Sequence, residues 1–95
     1  MIIKKITIDK FENEKVNNDN LPDENGTLKK KVGFKVINDN DSVYIIDRYL
    51  DIVDGKTDDE YSKDAYDLAK NDIDNWLKSL ENIGKTFNLD TGKIE

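Results

Sequence analysis

The chain has 95 residues, of which 36 % are apolar and 38 % are charged, and its net charge at neutral pH is −6. A chain of this length is expected to form one small domain, because it buries only about 60–65 % of the surface that its unfolded form exposes. The negative charge argues against direct binding to nucleic acid or to anionic membranes, since both require clustered Lys and Arg. An acidic protein instead favours basic partners.

Neither Cys nor His occurs in the sequence. Their absence excludes disulfide bonds, thiolate metal sites and catalysis by Cys or His. The N-terminus lacks the apolar stretch of about 7–15 residues that a secretory signal requires, and no segment approaches the ~20 apolar residues of a membrane span. We therefore expect a cytoplasmic protein, and its frequent Asn, Asp, Lys and Ile resemble the composition of proteins from AT-rich Gram-positive bacteria and their phages.

The first quarter of the chain predicts a strand followed by a long loop. Residues 2–11 are rich in β-branched side chains that alternate with polar ones, as is typical of a strand. Residues 12–27 lose this periodicity, contain Pro22 and end in Asn25-Gly26, a pair suited to positive φ in a turn. We expect a mobile polar loop at about 12–27.

Two further strands are predicted over residues 28–37 and 42–53. Apolar and Lys side chains alternate through the first of them, and the four turn-forming residues at 38–41 indicate a hairpin. The density of Val, Ile and Tyr favours a strand for 42–53. A helix is the alternative there, because apolar residues also recur at three- and four-residue steps: Val43, Ile46, Leu50 and Val53.

A long helix is predicted over residues 58–82. Thr57 and Glu60 form an S/T-x-x-E capping box, apolar residues follow at helical spacing, and Gly84 stands where a helix commonly ends. The tail after Gly84 is expected to add a short edge strand. The order β-β-β-α-β gives an α+β fold, with a small antiparallel sheet of three to four strands and one long C-terminal helix packed on one face.

No motif in the sequence indicates catalysis or a cofactor. The two Gly-Lys-Thr tripeptides lack the Gly that a phosphate-binding loop needs five positions earlier, where Leu50 and Ser79 stand instead. The acid-rich turns also lack the EF-hand spacing. We therefore expect a non-enzymatic protein with no cofactor and no metal.

Acidic residues are concentrated from Asp39 to Asp74, where twelve Asp or Glu stand against four Lys or Arg. Steps of three and four residues align Glu60, Asp64, Asp67, Asn71 and Asp74 on the outer face of the predicted helix, and four of these five are acids. Lysine pairings and the helix dipole are sufficient to explain an ordinary solvated face of this kind. The alternative is recognition, because acids ~4.5–6 Å apart along a helix match the separation of backbone phosphates.

Two functional hypotheses follow from the sequence. The first is a protein-interaction module of phage or mobile-element origin, a nucleic-acid mimic or inhibitor whose acidic helix face binds a basic protein. Its binding residues are Glu60, Asp64, Asp67 and Asp74, joined by the outward strand residues Asp47, Tyr49 and Asp51. The alternative is an assembly component that forms homodimers or larger oligomers through a sheet edge or through charge-complementary contacts. In the latter case the basic strip comprises Lys29, Lys30, Lys31 and Lys35.

Overall fold

The computed structural model describes residues 2–95. A three-stranded antiparallel sheet is followed by one helix and then by a separate two-stranded hairpin. The sheet contains β1 (Ile3–Val16), β2 (Thr27–Asn38) and β3 (Val43–Asp51); the helix is α1 (Asp58–Leu80), and the hairpin contains β4 (Phe87–Asn88) and β5 (Lys93–Ile94). The predicted α+β fold with one helix after an antiparallel sheet is confirmed.

The turn between β2 and β3 shows that residues 43–51 form a strand and not the alternative helix. Asn38 is fully buried, and its Oδ1 accepts hydrogen bonds of 2.9 Å from the N–H groups of Asn40 and Ser42. Asp41 adopts a φ of 62°, a conformation that Asp tolerates better than most residues. This turn brings β3 back along β2, with Phe34 opposite Ile46 in the ladder.

β1 continues through Val16, so residues 12–16 are strand and the expectation of a loop beginning at residue 12 is wrong. Glu12 lies opposite Lys31, and Glu14 lies opposite Lys29. Opposite charges on directly paired residues stabilise a ladder, even where the strand lacks an apolar alternation. The connection between β1 and β2 is therefore confined to residues 17–26.

Gly26 is needed for close packing and not, as the Asn-Gly pair suggested, for positive φ. Its φ lies outside the left-handed region, and a Cβ built on it would overlap the main-chain carbonyl of Val16. Val16 itself is 1 % exposed and forms an isolated bridge with Pro22. The glycine thus lets the connection fold tightly against the end of β1.

α1 covers one face of β2 and β3, which we call the helix face of the sheet. Ala65 and Ala69 of α1 are fully buried against the sheet, and such small side chains allow the helix to approach the strands closely. β1 lies outside the area that α1 covers, so that Ile6 and Ile8, paired with Val36 and Phe34, remain 36 % and 44 % exposed. The buried core consists of Val32, Phe34, Val36, Ile46, Tyr61, Ala65, Ala69 and Ile73.

The tail does not join the main sheet, contrary to the expectation of a short edge strand. β4 and β5 pair with each other, with Phe87 opposite Ile94. Oδ1 of Asn88 accepts hydrogen bonds from the main-chain N–H groups of Asp90 and Thr91, and Gly92 adopts a φ of 67°. This local turn gives the tail a strand partner of its own, and the main sheet keeps three strands.

Candidate protein-binding surface

The candidate surface begins at the N-terminus of α1, where the sequence fixes the helix start. Oγ1 of Thr57 accepts a hydrogen bond of 3.2 Å from the N–H of Glu60 and donates one of 3.0 Å to its carboxylate. Asp58 and Asp59 complete an acidic first turn. Carboxylates here are favoured by the helix dipole, so the most negative part of the helix is also well stabilised.

The outer face of α1 carries three of the four acids that the sequence aligned there. Glu60, Asp67 and Asp74 are exposed and follow one another at seven-residue steps, which keeps them on one side of the helix. Along the axis they extend over about 21 Å. Lys63 Nζ lies 3.3 Å from Asp67 Oδ2, an exposed pair of the kind that contributes little to stability.

Asp64 faces the junction between α1 and the segment that precedes it. Its Oδ2 lies 2.6 Å from Nζ of Lys56, and the Lys56 side chain is 18 % exposed. The hydrogen bond from Lys56 holds the pKa of the Asp64 carboxyl below its ordinary value of 3.8, and the same contact raises the pKa of Lys56. Asp64 therefore has a structural partner of its own.

The pH dependence of this ion pair provides a test. Because the pKa of Asp64 is lowered by folding, its contribution to stability is present above the unfolded value of 3.8 and is lost as the pH falls through the folded value. An NMR titration should give a pKa below 3.8 for Asp64, and Lys56→Met should move it upward. An unchanged Asp64 pKa in the Lys56 variant would show that the pair does not form in solution.

The three candidate residues of β3 lie on the opposite side of the sheet from α1. Asp47, Tyr49 and Asp51 are paired in register with Gly33, Lys31 and Lys29, and they share the open face of the sheet with these lysines. The structure therefore does not bring them together with the acids of α1. Charged residues of the open face around these three positions form a mixed ladder: Lys10, Glu12, Glu14, Lys29, Lys31, Asp47 and Asp51.

Lys31 is the centre of this ladder. Its Nζ lies 3.2 Å from Glu14 Oε2, 3.9 Å from Asp47 Oδ2 and 5.7 Å from the centre of the Tyr49 ring. Burial lowers the pKa of Lys31, but the hydrogen bonds to Glu14 and Tyr49 outweigh this effect and raise the pKa overall. Asp47 and Tyr49 thus already have a cationic partner within the chain.

The proposed basic strip on β2 is also altered by the structure. Lys30 lies on the helix face, with its Nζ 5.0 Å and 5.3 Å from the ring centres of Phe11 and Tyr61. On the open face, Lys29 Nζ lies 3.4 Å from Asp51 Oδ1, and Lys31 is held as described above. The four lysines therefore do not form one continuous strip.

An ion pair between α1 and β3 was not foreseen from the sequence. Arg48 interrupts the inward-facing apolar residues of β3. Its guanidinium binds the carboxylate of Asp72 and donates a hydrogen bond of 2.8 Å to the main-chain carbonyl of Asp47. The signal in the sequence was a cation at an inward position of β3 together with an acid at the margin of the helix. Their pairing requires the packing angle of α1, which the sequence did not supply.

The described residues 2–95 contain no group of three or more carboxylates arranged to hold a metal ion. No helix in this part of the chain combines the length and the apolar character that crossing a membrane requires. No protein-family model, no curated protein and no solved structure matches the chain. Function must therefore be inferred from the surfaces themselves.

Proposed function

We propose that the protein is a non-enzymatic interaction module that presents the outer face of α1 to a basic surface of another protein. The observation that supports the proposal is the alignment of Glu60, Asp67 and Asp74 on one exposed side of a helix that is anchored to the sheet along its other side. A row of carboxylates attracts a basic groove, and because the helix already fixes the backbone that carries the row, binding costs little backbone entropy.

The proposal narrows the set of binding residues expected from the sequence. Asp64 contributes less because Lys56 lies 2.6 Å from it. Asp47, Tyr49 and Asp51 are left out because they lie on the opposite face of the sheet and contact lysines there. The three remaining carboxylates are about 10.5 Å apart along the helix axis, so the row suits a protein groove that otherwise holds nucleic acid through its charge, and no longer through the spacing of adjacent phosphates.

The test compares two variants with the same change in net charge. The first, E60Q/D67N/D74N, removes the row of acids, and the matched control, D19N/E24Q/D90N, removes three exposed acids elsewhere. A partner captured from a lysate of the source cell is purified, and its association rate with each variant is measured at low salt. We expect the first variant to associate at least about tenfold more slowly and the control to match the wild type.

Equal association rates for the two triple variants would overturn the proposal. A second measurement tests the mimicry of nucleic acid, since the captured partner should bind either this protein or a DNA duplex but not both together. Simultaneous binding of both would place the contact outside the groove for nucleic acid and reject that part of the proposal.

The alternative of an assembly through charge-complementary faces has less support. Its basic side depended on the four lysines of β2, of which Lys29 and Lys31 are paired with acids of the same chain. Association through the edge of the sheet does not depend on that strip. The two edges of the sheet therefore need to be compared.

A further inference from the structure

The two edges of the main sheet differ in how they are covered. β3 forms one edge, and there Arg48 donates to the main-chain carbonyl of Asp47 while Asn20 and Leu68 border the same stretch of strand. Side chains from the helix and from the β1–β2 connection thus flank β3. An added strand would have to displace the Arg48 guanidinium from the Asp47 carbonyl.

β1 forms the other edge, and its outer side is open over most of its length. Among residues 2–95, main-chain hydrogen bonds from outside the sheet reach only its two ends: Asp39 N–H donates to Ile2 O at 3.0 Å, and Asp23 N–H donates to Lys15 O at 3.0 Å. The strand between them has no neighbour on its outer side. Unpaired donors and acceptors in such a strand form a template for another strand.

The same strand carries apolar side chains that α1 leaves uncovered. Ile6 and Ile8 are 36 % and 44 % exposed on the helix face, and Phe11 is partly buried and packs against the core. An added strand would remove part of this apolar surface from water while it satisfies the backbone of the edge.

We propose that the strand added to this edge is β1 of a second copy, paired antiparallel to form a continuous six-stranded sheet. The sequence of β1 favours a second copy as the added strand. When two antiparallel copies of β1 are aligned with the twofold axis between Asp9 and Lys10, several residues face complementary partners. Ile8 then lies opposite Phe11 of the second copy, and Lys5 lies opposite Glu14 of the second copy. These two pairs and the pair of Asp9 with Lys10 are complementary. In the same register Ile6 lies opposite Asn13, and Lys4 lies opposite Lys15, which is a like-charge pair.

Residues that face each other on neighbouring strands must lie on the same face of the sheet, and an irregularity in β1 allows this for the proposed pairs. The register with β2 shifts between Ile8 and Lys10, which reverses the alternation of side chains at Asp9. Ile8 and Phe11 consequently lie on the same face, opposite Phe34 and Val32 of β2. Without the bulge they would point to opposite faces, and the apolar contact in the proposed dimer would be lost.

Lysines and bulges on an edge strand normally discourage pairing with other strands. In the proposed register Lys5 lies opposite Glu14 of the second copy, a carboxylate that Lys31 of that copy also contacts, and the two bulges meet at the twofold axis. A strand of different sequence would leave the lysine unpaired and the bulge without a counterpart. These features therefore favour the second copy over other partners.

The dimer is independent of the proposed function. A twofold axis through the paired β1 strands is perpendicular to the sheet, so both copies of α1 lie on the same side with their acidic faces exposed. Self-association can be measured with the purified protein alone, without the basic partner. Either proposal can therefore fail without affecting the other.

Sedimentation equilibrium of the full chain over a range of concentrations tests the dimer. The wild type should change from monomer to dimer as its concentration rises, and Ile8→Lys should raise the dimer dissociation constant at least tenfold. The matched control is Ile45→Lys, since Ile45 is 49 % exposed on the other edge strand. Its dissociation constant should equal that of the wild type.

A second variant guards against a folding defect in Ile8→Lys. Ile8→Thr keeps a β-branched side chain in the strand, and circular dichroism would confirm that each variant is folded. The threonine variant should also dimerise more weakly, because the contact with Phe11 of the second copy is reduced. A wild type that stays monomeric up to millimolar concentration, or equal weakening by the substitutions at residues 8 and 45, would overturn the proposal.

Discussion

Replacing Phe34 by Ala is expected to lower the free energy of unfolding by about 3–5 kcal/mol. Phe34 is 4 % exposed in the middle of β2, and its ring meets that of Tyr66 edge to face with the centres 6.3 Å apart. The substitution loses the transfer free energy of the ring and leaves a cavity between the sheet and α1. A domain of 95 residues has only about 5–14 kcal/mol of stability, so a large part of it would be lost.

Urea denaturation followed by circular dichroism would measure this loss. The control is Ile45→Ala on the adjacent strand, where the side chain is 49 % exposed on the open face. This change should alter the free energy of unfolding by about 0.5 kcal/mol or less. If the two variants lost similar free energies of unfolding, Phe34 would be no better buried than Ile45, and α1 would not cover the helix face as described.

The elements that the sequence predicted well are those with local signals. The alternation of apolar and Lys residues in β2 fixes which side chains face α1, and Phe34 is buried as that alternation requires. Thr57 and Glu60 are three residues apart, so their capping interaction forms without any help from tertiary structure. Both signals were therefore readable in the sequence alone.

The features that the sequence did not predict depend on contacts between distant residues. The strand character of residues 12–16 comes from lysines of β2 that lie opposite them, and no local pattern announces that register. The orientation of Asp64 likewise depends on Lys56, whose long side chain reaches it from the preceding loop. Asp64 matched its neighbours in helical spacing, but spacing alone does not identify a partner outside the helix.

Gly26→Ala is the second substitution expected to have a large effect, with a loss of about 1–3 kcal/mol in the free energy of unfolding. The added Cβ would overlap the carbonyl of Val16, which belongs to the backbone. Val16 is held by its pairing with Thr27 in the ladder and by its bridge with Pro22. The backbone there can yield only by breaking these contacts, and the turn into β2 would shift with it.

Gly33→Ala provides the matched control, because it is the same chemical change at another glycine whose φ is outside the left-handed region. The effect of Ala on the entropy of the unfolded chain is the same at both positions and cancels in the comparison. At residue 33 the closest atom to the new Cβ would be a carboxylate oxygen of Asp47, at the end of a side chain that can rotate. Urea denaturation should therefore show a larger loss for Gly26→Ala than for Gly33→Ala. The reverse order would mean that the connection over residues 17–26 adapts more readily than the packed side chains of the open face.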